Sequence, residues 1–167
     1  QLEVPSAQHS DLDQVPVAED HDQIPEAGND IWVRLRAGLS FPSDYEHPKV
    51  QEYLVWHQLH PRYLYRLTKR AEPFLHFILL ELEQRGMPYD LALLPAVESA
   101  YLPMAYSHGG AAGLWQFIPS TGRHYGLQQN WWYDGRRDIY TSTHAALEYL
   151  NQLNQRFNGD WLLTLAA

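Results

Sequence analysis

From Asp30 onwards the chain is punctuated as a series of helices, and no region sustains the alternation a strand requires. "DIWVRLRAGL" opens on an aspartate able to cap it. "HPKVQEYLVWHQLH" and "HPRYLYRLTKRAEPFLHFILLELEQRG" each open His-Pro, placing proline in a first turn where its missing N–H is harmless. Pro73, inside the second of these, predicts a break or kink, and Gly86 a stop. Asp90 is placed to cap "YDLALLPAVESAYL", where Pro95 removes the bond to Leu91 and predicts a bend. "PSTGRHYG" predicts a short helix closed by Gly126, and "DIYTSTHAALEYLNQLNQRFNG" a long one closed at Asn158-Gly159. Asp160 then caps "DWLLTLAA". The expected fold is mainly α, with little or no sheet.

Charge separates a leader from this helical body. Residues 1 to 30 hold eight acids and no Lys or Arg, while the rest balances twelve acids against twelve bases. A formally neutral body argues against nucleic acid as a partner. The acidic leader carries Pro5, Pro16 and Pro25 and no aromatic residue, and is expected to be a disordered spacer over 1–29 rather than a docked arm. Residues 30–90 are then a helical front part, and 91–167 the part that carries the chemistry. No apolar run approaches the roughly 18 uncharged residues of a membrane span, and the first residues lack the pattern of a signal peptide. There is no cysteine, which removes disulfides and thiolate metal sites.

The chemistry concentrates in "LALLPAVESAYLPMAYSHGGAAGLWQF", whose one acid is Glu98. On a continuous helix Leu91, Leu94, Glu98, Tyr101 and Leu102 share a face, which would bury the carboxyl and raise its pKa, as a general acid requires. The alternative is that Pro95 and the end of the helix turn Glu98 out to solvent. The glycines and alanines that follow permit close backbone approach to a ligand or another helix. Eight aromatics lie between Tyr101 and Tyr133, among them Tyr106 and Trp115, and offer faces for core packing or for a sugar. Most glycosidases flank the scissile bond with two carboxylates, yet the next acid here is Asp134, inside a turn-like "YDGRRD". A lone glutamate suggests that the substrate supplies the second function.

"ALLPAVESAY", then "SHGGAAGLWQFIPSTGRHYGL", then "NWWYDGRRDI" resemble family 1 lytic murein transglycosylases, and within them the membrane-bound D type. The ordered set Glu-Ser, Ser-x5-Gly-Leu-x-Gln and Pro-x2-Gly carries the resemblance, which extends from about Asp30 to Ala167. It implies a lysozyme-like helical domain of the goose-type and soluble transglycosylase kind. It also implies cleavage of peptidoglycan glycan strands without water and without a cofactor or metal. By position, Glu98 matches the catalytic glutamate, Ser99 a serine that helps position it, and Ser107 a serine near the acetamido group. Gln116 matches a glutamine lining the sugar site, and Trp115 stands where many relatives have methionine. Tyr106 is included among the substrate-positioning candidates. The family helix that "DWLLTLAA" begins runs into a Tyr-Asn motif whose tyrosine faces the glutamate. With Ala167 the last residue, the resemblance implies a catalytic unit completed by a further or separate segment. It implies a periplasmic protein, anchored to the outer membrane, if at all, through a segment outside this chain.

Other constellations are weaker. His57 and His60 have metal-ligand spacing but no third ligand, so satisfied or exposed histidines are expected. Ser107-His108 lacks the geometry of a hydrolase dyad, and "NWWYDGRRD" lacks the spacing of a calcium loop. Arg136 and Arg137 are expected to hold their turn through carboxylates, the alternative being contact with acidic peptide stems. Two rival functions stand beside the transglycosylase. One is a muramidase of goose-type lysozyme character, in which water replaces the sugar hydroxyl. The other is a peptidoglycan-binding module without activity.

Overall fold

A computed structural model describes residues 30–42 and 46–167; the leader expected over 1–29 lies outside the described residues. Among the described residues seven α-helices follow in order: α1 Ile31–Ala37, α2 Pro48–Leu59, α3 Pro61–Gln84, α4 Leu94–Ser99, α5 Pro119–His124, α6 Ile139–Arg156 and α7 Trp161–Ala166. A 3-10 turn over Tyr89–Leu93 leads into α4. Among the described residues there is no strand; isolated bridges pair Tyr106 with Ala112, Ala112 with Phe117 and Gln129 with Asp134. The fold is mainly α, as expected.

The local signals for starts and stops act where they were read. Asp30 accepts from the Trp32 N–H and Asp160 from Leu163; Asp138, not singled out as a cap, accepts likewise from Thr141, each satisfying a first-turn donor that has no helical partner. His47 caps α2 through Nδ1, which accepts from Lys49 N–H, and Pro48 and Pro61 occupy first-turn positions. Gly86 ends α3 in the left-handed region, with φ of 62°, so that Met87 N–H reaches the Leu82 carbonyl.

Two expectations are corrected. Pro73 does not break α3, which continues through it to Gln84. Ala71, Leu75, Ile78, Leu79 and Leu82 form a fully buried stripe on both sides of Pro73. At about 1.5–3 kcal/mol per buried large aliphatic side chain, that burial outweighs one missing hydrogen bond. Nor does Asp90 cap a helix. The chain enters the 3-10 turn one residue earlier, and Asp90 accepts instead from the N–H groups of Ser40 (2.9 Å) and Phe41 (3.3 Å), tying down the segment after α1.

The stripe on α3 is the centre of the core. Leu91 and Ala92 of the 3-10 turn, Leu114, Phe117, Leu127, and Ala146, Leu147 and Leu150 of α6 belong to the same buried cluster. Glu81 is buried beside it, where its carboxylate meets Arg85 and His144 of α6 (3.0 Å to the ring). By contrast α2 buries none of its residues. His57 and His60 engage the carbonyls of Tyr53 and Trp56 through Nδ1. Among the described residues no helix is long and apolar enough to cross a membrane.

Candidate active site

The site is assembled around the short helix that carries Glu98. Pro95, which cannot donate, falls where the 3-10 turn hands over to α4, so the expected bend takes the form of a change in helix type. That change corrects the buried stripe expected from one continuous helix. Tyr101 and Leu91 are buried, but Leu102 is exposed and Glu98 keeps an exposed surface. A 3-10 segment turns faster per residue than an α-helix, and the chain leaves helical geometry immediately after Ser99. Ala100 and Tyr101 take φ of 49° and 55°, in the left-handed region that residues with a Cβ normally avoid. Tyr101 is held there by its N–H to Pro95 O (3.1 Å) and its buried hydroxyl to Ala92 O (2.6 Å). Such strain persists only where the surroundings over-determine it, and it clusters at functional sites.

Opposite α4 lies the loop of residues 112–117. Ala112 N–H bonds Phe117 O at 3.0 Å, closing a tight turn, and Gln116 at its end has φ of 49°. Gly113 has φ of 84°, and a Cβ there would stand 1.7 Å from the Arg136 carbonyl oxygen, so only glycine admits this backbone contact. Three side chains fix the loop. Ser99, buried on α4, donates to Leu114 O at 2.8 Å and shares its proton with Pro95 O at 3.2 Å. The Trp115 indole donates to Thr143 Oγ1 on α6 at 2.9 Å. Gln116 turns its amide back to Gly113 O at 2.8 Å.

Arg136 locks the loop from beneath. Nearly fully buried, it donates through Nε (2.9 Å) and Nη2 (2.7 Å) to both Asp134 oxygens, and through Nη1 to the carbonyls of Gly110 (2.7 Å) and Phe117 (3.0 Å). The Arg136 side chain holds the Asp134 carboxyl below its ordinary pKa, chiefly through these hydrogen bonds. A turn-holding role for Arg136 was expected; its reach to the 107–117 segment was not.

Between α4, the loop and α6 opens a cleft of about 300 Å³, with Glu98 and Gln116 on its wall among Leu94, Trp115, Phe117 and Ile118. Glu98 is the one carboxylate lining it among the described residues. Though the residue is exposed on the open side, partial desolvation of its carboxyl pushes the pKa above the ordinary carboxylate value.

Three of the residues singled out from sequence thus meet in the cleft: Glu98, Trp115 and Gln116. Ser99 stands behind the wall, bonded to the loop rather than lining the cleft. Ser107 closes the turn beside it, accepting from Ala111 N–H at 3.0 Å, and does not line the cleft. Nor does Tyr106, which is exposed and has the Arg137 guanidinium 5.8 Å from its ring centre. Thr121, Ala146, Tyr149 and Leu150 line the cleft and were not singled out. The last three share one face of α6 at i, i+3 and i+4, a signal open to a helical reading of that segment.

Residues 77–167 match the Transglycosylase SLT domain family. The chain belongs to this family. Its relatives include membrane-bound lytic murein transglycosylase D of Escherichia coli (strain K12), 49% identical over 142 residues, which cover 83% of this chain and 30% of that protein. The transglycosylase D of Escherichia coli O6:H1 matches to the same extent. A protein of Alteromonas sp. (strain M-1) named for tributyltin chloride resistance is 45% identical over 113 residues, 65% of this chain and 55% of that one. The chain therefore spans about a third of the length of the transglycosylase D relatives. The lysozyme-like helical fold implied by the resemblance agrees with the SLT match and the mainly α architecture.

The Ser99 contact can be tested alone. Replacing Ser99 with Ala leaves the buried Leu114 carbonyl without this donor, which is expected to lower stability by about 1–3 kcal/mol. Because Ser99 does not line the cleft, turnover per folded molecule should fall far less than when Glu98 is changed. Denaturant unfolding with parallel activity assays checks both, and an unchanged midpoint would count against the contact.

Proposed function

We propose that the chain carries the catalytic part of a lytic transglycosylase, breaking the β-1,4 bond between N-acetylmuramic acid and N-acetylglucosamine in peptidoglycan. Glu98 carries the reading. Among the described residues it is the lone carboxylate in an aromatic-walled cleft, with a pKa raised by desolvation. The raised pKa favours the protonated form needed to donate to the glycosidic oxygen as the bond to C1 breaks. The resulting carboxylate then takes the proton of the muramyl C6 hydroxyl as that oxygen bonds C1. A 1,6-anhydro ring closes, no water is consumed, and Glu98 is again protonated. One carboxylate suffices because the nucleophile lies within the substrate, with the 2-acetamido group assisting.

In this reading Gln116 and Trp115 contact the sugar. Ser99 positions α4 against the loop, and Ser107 and Tyr106 act, if on the sugar, from outside the cleft lining. The lysozyme-like catalytic part is residues 91–167, preceded by the helical part of 30–90. In this reading the substrate puts the protein in the periplasm.

Mass spectrometry of fragments released from purified sacculi tests the proposal. Anhydro-ended muropeptides, lighter by one water than reducing ends, are the expected products. Reducing ends would instead make the protein a muramidase, and glycan retention without release would make it a binding module.

A further inference from the structure

A second hollow, of about 420 Å³, shares no lining residue with the Glu98 cleft. Its lining includes Met104, Trp131, Trp132, Tyr133, Arg137 and Asp138. Trp131 and Trp132 are 87% and 90% exposed, an unusual place for the two largest apolar side chains of a loop. The loop beneath them is firmly built. Asn130 Oδ1 accepts from the N–H groups of both Trp132 and Tyr133 at 2.9 Å, and Asn130 N–H bonds Tyr133 O at 2.8 Å. Gly135 N–H bonds Gln128 O at 2.8 Å, and Asp134 is held by Arg136. The indoles are therefore presented from a fixed base. Their centres are 6.2 Å apart and their planes cross at 85°, so the pair forms a corner.

The groups around that corner decide among occupants. Asp134 is neutralised by Arg136, leaving Arg137 and Asp138 as one charge of each sign. That balance suits an uncharged ligand rich in hydroxyls. An anionic lipid surface would call for several basic groups, and the hollow has one. A second copy of this chain would need a broader apolar face than one interrupted by Arg137 and two aspartates. Flat aromatic faces beside a few polar groups are what a pyranose ring, apolar on its faces and polar at its rim, can use.

We propose that the Trp131–Trp132 corner, with Arg137 and Asp138 at its edge, is an accessory site for an uncharged sugar unit of a glycan strand, outside the Glu98 cleft. That the strand is peptidoglycan rests on the function proposed above. Occupying both places would hold a long strand on an insoluble wall, whereas a short oligosaccharide would need only the cleft.

The test uses the 167-residue chain with Glu98→Gln, so that the probe is not consumed, and a β-1,4-linked N-acetylglucosamine tetramer. In proton–nitrogen spectra the indole signals of Trp131 and Trp132, identified by their loss in W131A and W132A, should shift saturably. The double variant should lose that response and keep its melting temperature. In the active chain the double variant should bind sacculi about tenfold more weakly, the scale of truncating a well-placed aromatic anchor, with turnover of a short soluble oligosaccharide unchanged. Indoles unmoved by the tetramer while the Gln116 amide responds would overturn the proposal. So would indoles that respond to phosphatidylglycerol vesicles and not to sugar. Saturable indole shifts in a chain whose wild type releases no product would uphold the corner and remove the transglycosylase reading.

Discussion

Glu98→Gln should abolish the release of anhydro-ended fragments and leave the helical circular dichroism intact. Losing a general acid costs about 10²–10⁴ in rate, and here the same group serves as acid and then as base, so the loss should lie at or beyond the upper end. Gln keeps the shape of the side chain and its exposed surface on the open side of the cleft, so glycan binding should persist. Desolvation raises the carboxyl's pKa in the folded state, so the acid form and the rate should decline as pH rises through that raised value. Stability follows the same direction. The folded state holds its proton more tightly than the unfolded one, so Glu98's contribution is fully present below the ordinary carboxylate range. It is lost as pH rises through the folded pKa. The glutamine variant has no such loss, and its melting temperature relative to wild type should climb over that window. Retention of most activity by the variant would remove Glu98 from the mechanism.

What the sequence disclosed and what it concealed divide along the range of the interactions involved. Caps at Asp30 and Asp160 and the stop at Gly86 act within a few residues, so residue types alone announced them. Pro73 does not carry out the break it allowed, because the burial of Ala71 and Leu75 beside it is a tertiary matter that overrides local preference. Asp90 followed the same course, since its partners Ser40 and Phe41 lie fifty and forty-nine residues away in the chain. Glu98 was legible as an isolated acid in an apolar stretch, but whether it is buried or turned outward by Pro95 and the end of the helix was left open. That depends on the switch from a 3-10 turn to α4 and on positive φ at Ala100 and Tyr101, two residues that carry no signal for it. Trp115 offered the two uses of an aromatic as alternatives, and the structure combines them: its indole is anchored on Thr143 while its surface lines the cleft.

Arg136→Leu should be the most destabilising of the substitutions considered, because one side chain serves four acceptors. Removing it strands the Asp134 carboxylate and withdraws a donor from the carbonyls of Gly110 and Phe117. Leaving a half-buried carboxylate and two carbonyls without this donor costs about 1–3 kcal/mol for each acceptor that stays shielded, a large share of the roughly 5–15 kcal/mol that holds a domain together. At about 2–4 °C per kcal/mol for a chain of this size, the melting temperature should fall by ~10 °C or more. Arg136→Lys keeps the charge but presents a point donor in place of a planar fork, so it should recover only part of the loss. Acid should reveal the same contact. Asp134's folded pKa lies below its ordinary value, chiefly through hydrogen bonds from Arg136. Its contribution is therefore complete above the ordinary carboxylate pKa and is lost as pH falls through the folded one. That acid-side loss should largely vanish in Arg136→Leu. Activity should fall with stability, since the carbonyls Arg136 grips bracket the loop that carries Trp115 and Gln116. A leucine variant that melts within a degree of wild type and keeps the acid-side slope would show that the loop is held by other means.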